Sequence, residues 1–206
     1  MITMMKIASH NSWSFAKPAN LISRLLRFTA KCQTLNIQQQ YDLGIRMFDL
    51  RIKPRINRTW TVNHGLVKFK VDVLKDLEWL NNKATLEDPI YIRVVEEFNS
   101  ECYAQIFYDK AFCEIVEDLS EQFLFLDFVG GYRKYDWKKL CDNLEDISIV
   151  ERYSSVTSLT ETHRNNHKWY AKLDDLYPFL YAKLHNKKLR EEYKNSEWLM
   201  IDFVEL

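Results

Sequence analysis

Net charge is what this 206-residue chain most plainly lacks, with 29 Lys and Arg set against 29 Asp and Glu. Without an excess of either sign there is no long-range field to draw it to nucleic acid or an anionic membrane, so nucleic acid is not expected as a partner and any membrane contact must be local. Long apolar runs are missing as well. No stretch reaches the roughly 18 apolar residues of a spanning helix, and Met1-Ile2-Thr3-Met4-Met5-Lys6 runs into a first strand with no recognisable secretion signal. A soluble chain, cytoplasmic by default, is the expectation. Cys32, Cys102, Cys113 and Cys141 show no C-x-x-C spacing, which points to reduced, partly buried thiols instead of a metal knuckle. There is no internal repeat or low-complexity linker, so residues 1–206 are expected to form one domain, long enough to bury roughly 70% of its unfolded surface.

What is present is an alternation of strand-like and helix-like segments. Helices are predicted over Ala19–Lys31, with Leu21, Ile22, Leu25, Leu26 and Phe28 on the apolar side, over Gln33–Tyr41 with Gly44 as its stop, and over Val71–Asn82. Strands are predicted at Ile45–Ile52, Ile90–Val95, Phe123–Phe128, Ile147–Arg152 and Trp198–Val204, with a polar loop at Lys53–Arg58. Cys102–Glu121 and Trp137–Leu144 read as helices, Tyr153–Asn166 as a polar loop, and Leu173–Lys194 as a helix kinked or split by Pro178. Alternating elements argue for a parallel α/β arrangement, here a single TIM-like barrel. Such barrels usually run to about 250 residues, so this one must be distorted or trimmed.

In the strand Ile45–Ile52, period-two alternation puts Met47, Asp49 and Arg51 on one face. An acid and a base share a face that apolar residues would normally fill. A buried ion pair alone says little about function, but each flanking segment ends an apolar run in a histidine: Lys6-Ile7-Ala8-Ser9-His10 and Trp60-Thr61-Val62-Asn63-His64. Parallel barrels place their chemistry at the C-terminal ends of strands. Two imidazoles, a guanidinium and a carboxylate gathered there suit in-line phosphoryl transfer, one ring taking a proton and the other giving one.

Ser-His-Asn-Ser, Gln33-Thr34-Leu35-Asn36-Ile37 leading to Gln40, Gly-Ile-Arg-Met-Phe-Asp-Leu-Arg, Val-Asn-His-Gly and the closing Trp198-Leu199-Met200-Ile201-Asp202 together resemble the catalytic X region of phosphatidylinositol-specific phospholipase C. The resemblance covers Ile7 to Gly65 and the last strand; residues 97–197 carry little of it. It implies that His10 is the base that deprotonates the inositol 2-hydroxyl, that His64 is the acid that protonates the departing diacylglycerol oxygen, and that Asp202 orients His10. Arg51, beside Asp49, stands where calcium-dependent members carry a metal-ligating carboxylate and bacterial members an arginine. The implied enzyme is therefore metal-independent and needs no cofactor. It would cleave phosphatidylinositol or a glycosyl-phosphatidylinositol anchor to diacylglycerol and a cyclic inositol phosphate.

Two positions depart from the pattern. Asn11 stands where bacterial members have aspartate, and Val95 where relatives carry lysine or a metal-ligating glutamate; Arg93 is the substitute cation proposed for substrate contact, and Arg152, before Tyr153, resembles the family's segment that touches the inositol ring. His163 and His167 lack a third ligand and read as surface residues. Tyr132, Tyr135, Trp137, Trp169, Tyr170, Tyr177, Phe179 and Tyr181 include candidates for transient contact with a membrane surface, although such residues are more often core. The partner is an inositol phospholipid and the chain is expected to be a monomer. An inactive barrel that only binds inositol phosphates or lipid headgroups is the alternative, and the missing His-Arg-Gly opening argues against a glycerophosphodiester phosphodiesterase.

Overall fold

The structure, a computed structural model, describes residues 6–54, 60–85, 87–96, 124–130, 177–194 and 198–206. The predicted elements Cys102–Glu121, Trp137–Leu144, Ile147–Arg152 and Tyr153–Asn166 lie outside the described residues, as do His163, His167, Arg152 and three of the four cysteines. Twelve regular elements are used below. They are β1 (Lys6–Ser9), β2 (Lys17–Pro18), α1 (Leu21–Leu26), α2 (Ile37–Asp42), β3 (Met47–Pro54) and β4 (Trp60–His64), followed by β5 (Val67–Lys70), α3 (Val73–Asn81), β6 (Ile90–Glu96), β7 (Leu124–Gly130), α4 (Pro178–Glu192) and β8 (Trp198–Ile201).

Eight strands form one mixed sheet. Its spine is a parallel run, β8-β1-β3-β6-β7, in which β1, β3, β6 and β7 follow sequence order and the last strand, β8, lies beside the first. Among the described residues, β7 and β8 are the outer strands of this parallel run. A hairpin departs from the spine: β4 runs antiparallel to the end of β3, and β5 and β2 continue antiparallel beyond it. The Trp60–His64 segment was expected as another parallel strand; it returns antiparallel because only residues 55–59 separate it from β3, too few for a crossover.

Apolar residues from the two halves of the strand period go to different layers. Phe48, Leu50 and Ile52 of β3, with Ile90 and Ile92 of β6, join Val73, Leu77 and Leu80 of α3 in the main core. Met47, Asp49 and Arg51 take the opposite face, as the alternation requires. The hydroxyl-rich turn Ser12–Phe15 is clamped to α3 by Trp13, whose ring is buried and whose Nε1 donates to Asp76 at 2.8 Å.

Helix boundaries follow their caps. α2 opens with a reciprocal capping box, Asn36 and Gln39 each bonding the other's backbone. It closes with Gly44 at φ +91°, where Gly44 N–H donates to Tyr41 and Ile45 N–H to Gln40, the paired bonds of a Schellman ending that only a residue tolerant of positive φ completes easily. The part of the predicted helix before Tyr177 lies outside the described residues. Pro178 begins α4, where its missing N–H costs nothing. The segment Ala19–Lys31 is shorter than its periodicity implies, with α1 ending at Leu26 and a 3-10 turn at Arg27–Thr29. Of its predicted apolar side Leu26 packs against the core, whereas Leu21, Ile22, Leu25 and Phe28 are 71, 66, 66 and 51% exposed. The buried residue of α1 is Ser23, whose hydroxyl accepts from Lys68 N–H of β5 at 2.9 Å.

Gln33 ties the first and last strands together. Its buried side chain donates to the carbonyls of His10 (2.9 Å) and Ile201 (3.1 Å) and accepts from Val204 N–H (3.2 Å). Gln33→Ala leaves all three backbone groups without this partner, at ~1–3 kcal/mol for each one that water does not reach. Urea unfolding is expected to show at least ~1 kcal/mol lost with an unchanged m-value.

Candidate active site

Backbone pairing sets the site before any side chain does. Ser9 of β1 is in register with Ile201 of β8 and with Phe48 of β3. One residue further along, His10, Asp202 and Asp49 therefore emerge at one level. His10 N–H donates to the Ile201 carbonyl at 3.1 Å, and His10 Nδ1 and Asp202 Oδ1 are 2.6 Å apart. On the other side of the ring, Nε2 is 2.6 Å from Arg51 Nη2 and 3.9 Å from Asp49 Oδ2. A guanidinium only donates, so Nε2 accepts and Nδ1–H points to Asp202. The partners impose a neutral ring with its lone pair on Nε2.

Asp49 is fully buried, and Oδ2 accepts from Arg51 Nε and from Asn11 N–H, each at 2.9 Å. Asn11 is in the left-handed region at φ +45°, a conformation asparagine tolerates better than most residues. Among the described residues its buried side-chain amide has no hydrogen-bond partner, so the residue meets Asp49 through its backbone and leaves a polar amide beside the histidine.

His64 ends β4 at the ladder level of Leu50, because the hairpin pairs Val62 with Ile52. Its ring stands edge-on to His10, centroids 6.0 Å apart. Nδ1 lies 3.0 Å from the Ala30 carbonyl and 3.6 Å from Cys32 Sγ. With Nδ1–H held by that carbonyl, Nε2 is the atom able to exchange a proton with a ligand. The site thus brings together His10, Asp49, Arg51, His64, Asp202 and Asn11 from segments up to 192 positions apart. Arg93 is set level with Asp49, and Val95 level with Arg51, in the β3–β6 ladder; their side chains are outside the described set.

Among the supporting residues, Ser12 and Gln40 enter the sequence reading only within the motifs of the resemblance, and Ser14 and Asn186 not at all. Ser12 Oγ donates to Ser9 O and accepts from Asp49 N–H, both at 2.8 Å, while Ser14 Oγ accepts from the N–H groups of Cys32 and Gln33. Gln40 Nε2 donates to the carbonyls of Ser12 and Leu35. Behind Asp202, buried Asn186 of α4 donates to the carbonyls of Asp202 and Phe203, and Phe203, at φ +49°, donates its N–H to Cys32 O. For Ser14 and Asn186 the signal was an amide or hydroxyl amid apolar residues, which predicts burial of polar groups but not their partners.

Burial pushes the Asp202 carboxyl up, but His10, the Cys32 thiol and His64 outweigh it and hold the group below its usual value. Cys32 goes the other way: burial first, then the neighbouring Asp202 charge, raise its thiol well above the ordinary range. It is a neutral thiol near pH 7.

No protein-family model matches this chain, and no curated protein matches it in sequence. Solved structures do match. The fold is shared with the phosphatidylinositol-specific phospholipase C of Listeria monocytogenes, 15% identical, with 98% of this chain and 89% of that one covered at a TM-score of 0.60. A double mutant of the Staphylococcus aureus enzyme is 14% identical, covering 100% of this chain and 87% of that one at a TM-score of 0.63. A further S. aureus structure, on modulation of that enzyme's membrane binding, is 14% identical over 98 and 87% of the two chains, with a TM-score of 0.59. At these identities the likeness is one of fold.

Because the Asp202 carboxyl is lowered in the folded state, the unfolded chain binds the extra proton as pH falls. The stability it contributes is thus complete above the unfolded value near 3.8 and is lost as pH drops through the lower folded value. Paired unfolding curves are expected to show Asp202→Asn less stable than the parent near neutral pH, with the gap narrowing as pH falls below about 4.

Proposed function

We propose that residues 1–206 form a single phosphatidylinositol-specific phospholipase C-like domain that cleaves an inositol phospholipid, or a glycosyl-phosphatidylinositol anchor, to diacylglycerol and a cyclic inositol phosphate. One observation carries the reading: His10 is held between Asp202 and Arg51 with a second imidazole 6.0 Å away, centroid to centroid.

A phosphodiester anion entering this space competes with His10 for Arg51. As the guanidinium turns to the phosphate it releases His10 Nε2, which takes the proton of the inositol 2-hydroxyl while Asp202 stabilises the imidazolium that forms. The deprotonated oxygen attacks phosphorus, and Arg51 offsets the negative charge on the phosphoryl oxygens. His64, protonated at Nε2, gives its proton to the departing glycerol oxygen. The nucleophile belongs to the substrate, so the reaction needs no serine or cysteine, and the fixed guanidinium takes the part a divalent metal would otherwise play. Asp49 holds Arg51 through Nε, which keeps the guanidinium beside His10. Arg93 and Arg152 remain the candidate contacts for the rest of the headgroup.

The lipid side of this reading rests on α1. Leu21, Ile22, Leu25 and Phe28 are exposed together, and Tyr177 stacks on Phe28 with centroids 5.5 Å apart. Such a face suits the acyl boundary of a membrane, in keeping with the membrane binding studied for the S. aureus enzyme. Of the aromatic candidates named from sequence, Tyr132, Tyr135, Trp137, Trp169 and Tyr170 lie outside the described residues.

Phosphorus NMR of phosphatidylinositol incubated with the protein and a chelator is expected to show a cyclic phosphodiester resonance. Failure to form it under any metal condition would leave only headgroup binding. His10→Ala and His64→Ala are each expected to lower turnover by at least ~10³-fold. A substrate with a low-pKa leaving group no longer needs an acid, so it should rescue His64→Ala and hardly affect His10→Ala; equal rescue would mean the roles are misassigned.

Replacing Ile22 and Leu25 together by glutamate removes two side chains worth ~1.5–3 kcal/mol each when fully buried. Turnover on phosphatidylinositol vesicles should then fall at least ~10-fold, with activity on a monomeric soluble substrate nearly unchanged.

A further inference from the structure

Beneath the two imidazoles lies a group the proposed chemistry does not use. Cys32 is fully buried and free, with Sγ 3.6 Å from His64 Nδ1 and 3.7 Å from the Ala30 carbonyl. Sγ, a His10 ring nitrogen and an Asp202 carboxylate oxygen all lie within 4.8 Å of one another, and no other such group of three ligands occurs among the described residues. We propose that His10, Cys32 and Asp202 form a binding site for a soft divalent cation of the zinc type, whose occupation switches the site off.

The donor set decides the class of ion. One imidazole nitrogen, one thiolate sulfur and one carboxylate oxygen match the ligands of zinc, with bonds of ~2.0–2.3 Å and donor atoms therefore ~3.3–3.8 Å apart around a tetrahedron. Calcium requires six to eight oxygens and magnesium an octahedron of them, against the single carboxylate offered by this trio. Access and adjustment are both available. The His10 and Asp202 side chains are 16 and 17% exposed, so a cation enters from their side, and they move inward by about an ångström to reach tetrahedral spacing. The thiol waits behind on a fixed backbone, its N–H bonded to Ser14 Oγ and its carbonyl to Phe203 N–H. Thiolate and carboxylate together neutralise the dication, so Arg51 faces a centre of no net charge.

The proton balance explains inhibition. As the zinc–sulfur bond forms, the thiol proton leaves to solvent. The cation takes His10 Nδ1, and the proton that sat there moves to Nε2. Nε2 can then accept neither a hydrogen bond from Arg51 nor a proton from a substrate. Water completes the fourth position.

Cobalt(II) titration of the full chain without substrate tests the binding directly, independent of any activity. One equivalent is expected to give a thiolate-to-cobalt charge-transfer band with tetrahedral d–d bands, displaced by one equivalent of zinc. Cys32→Ser should abolish the charge-transfer band and weaken zinc by more than ~100-fold, beyond what second-shell changes cost. Joint replacement of Cys102, Cys113 and Cys141 by serine should leave the band intact, which keeps the assignment testable if Cys32→Ser folds poorly. A missing band in the parent protein, or a band that disappears in the triple variant, overturns the proposal. If the parent also turns over phosphatidylinositol, zinc should inhibit it and a chelator restore it; binding without turnover would count against the proposed enzyme and not against the metal site.

Discussion

The pairing of the first strand with the last is the constraint on which the rest of the site depends. Ser9 and Ile201 are partners in the β1–β8 ladder, so the residues that follow them, His10 and Asp202, must leave the sheet side by side. A slip of one residue would turn every side chain on β8 to the opposite face. The register is secured from both sides, since Leu199 and Ile201 are buried in the main core while Gln33 and Asn186 bond the backbone just past the strand ends. A hydrogen bond spanning 192 positions thus rests on a ladder of four pairs and two buried amides.

The second organising feature is the charge in the interior. A buried carboxylate and a guanidinium attached to the same strand would ordinarily only break even against desolvation. Asp49 does more than neutralise Arg51: Oδ2 also binds the backbone of Asn11, fixing the turn that follows His10. Arg51 in turn bonds the nitrogen that the proposed mechanism needs as a base. Guanidinium and imidazole thus bond each other, the contact that an anion would break in the proposed mechanism. The buried polar residues around them, Ser9, Asn11, Ser12, Ser14, Gln33 and Gln40, occupy volume that apolar side chains would otherwise stabilise. This is a cost that a fold selected for stability alone would avoid.

The exposed face of α1 shows the same tension at the surface. Leu21, Ile22 and Leu25 sit exposed on a helix whose buried residue is Ser23, bonded to β5, and Phe28 is exposed in the turn that follows. Polar anchoring to the hairpin orients the helix with its apolar side outward, the reverse of what hydrophobicity alone favours for a helix on a water-facing surface. In the proposed function this outward face is the one that meets lipid.

Much of this was legible in the chain. The β3 alternation, the Gly44 stop, and the strands β6, β7 and β8 follow from local rules of period, propensity and capping that act over a few residues. The site residues His10, Asp49, Arg51, His64 and Asp202 were visible as strand-end or strand-face positions, and their sequence order resembled a known family. What local rules cannot supply is direction and register between distant segments. Whether Trp60–His64 runs parallel or antiparallel to β3, whether Pro178 kinks a helix or begins one, and which side of α1 faces water are each decided by which neighbours are present to satisfy backbone groups and cover apolar surface. The placing of Cys32 under both histidines belongs to the same class. No pattern within its own segment marks it, because the residues that give it meaning come from three other strands and meet only when the sheet has formed.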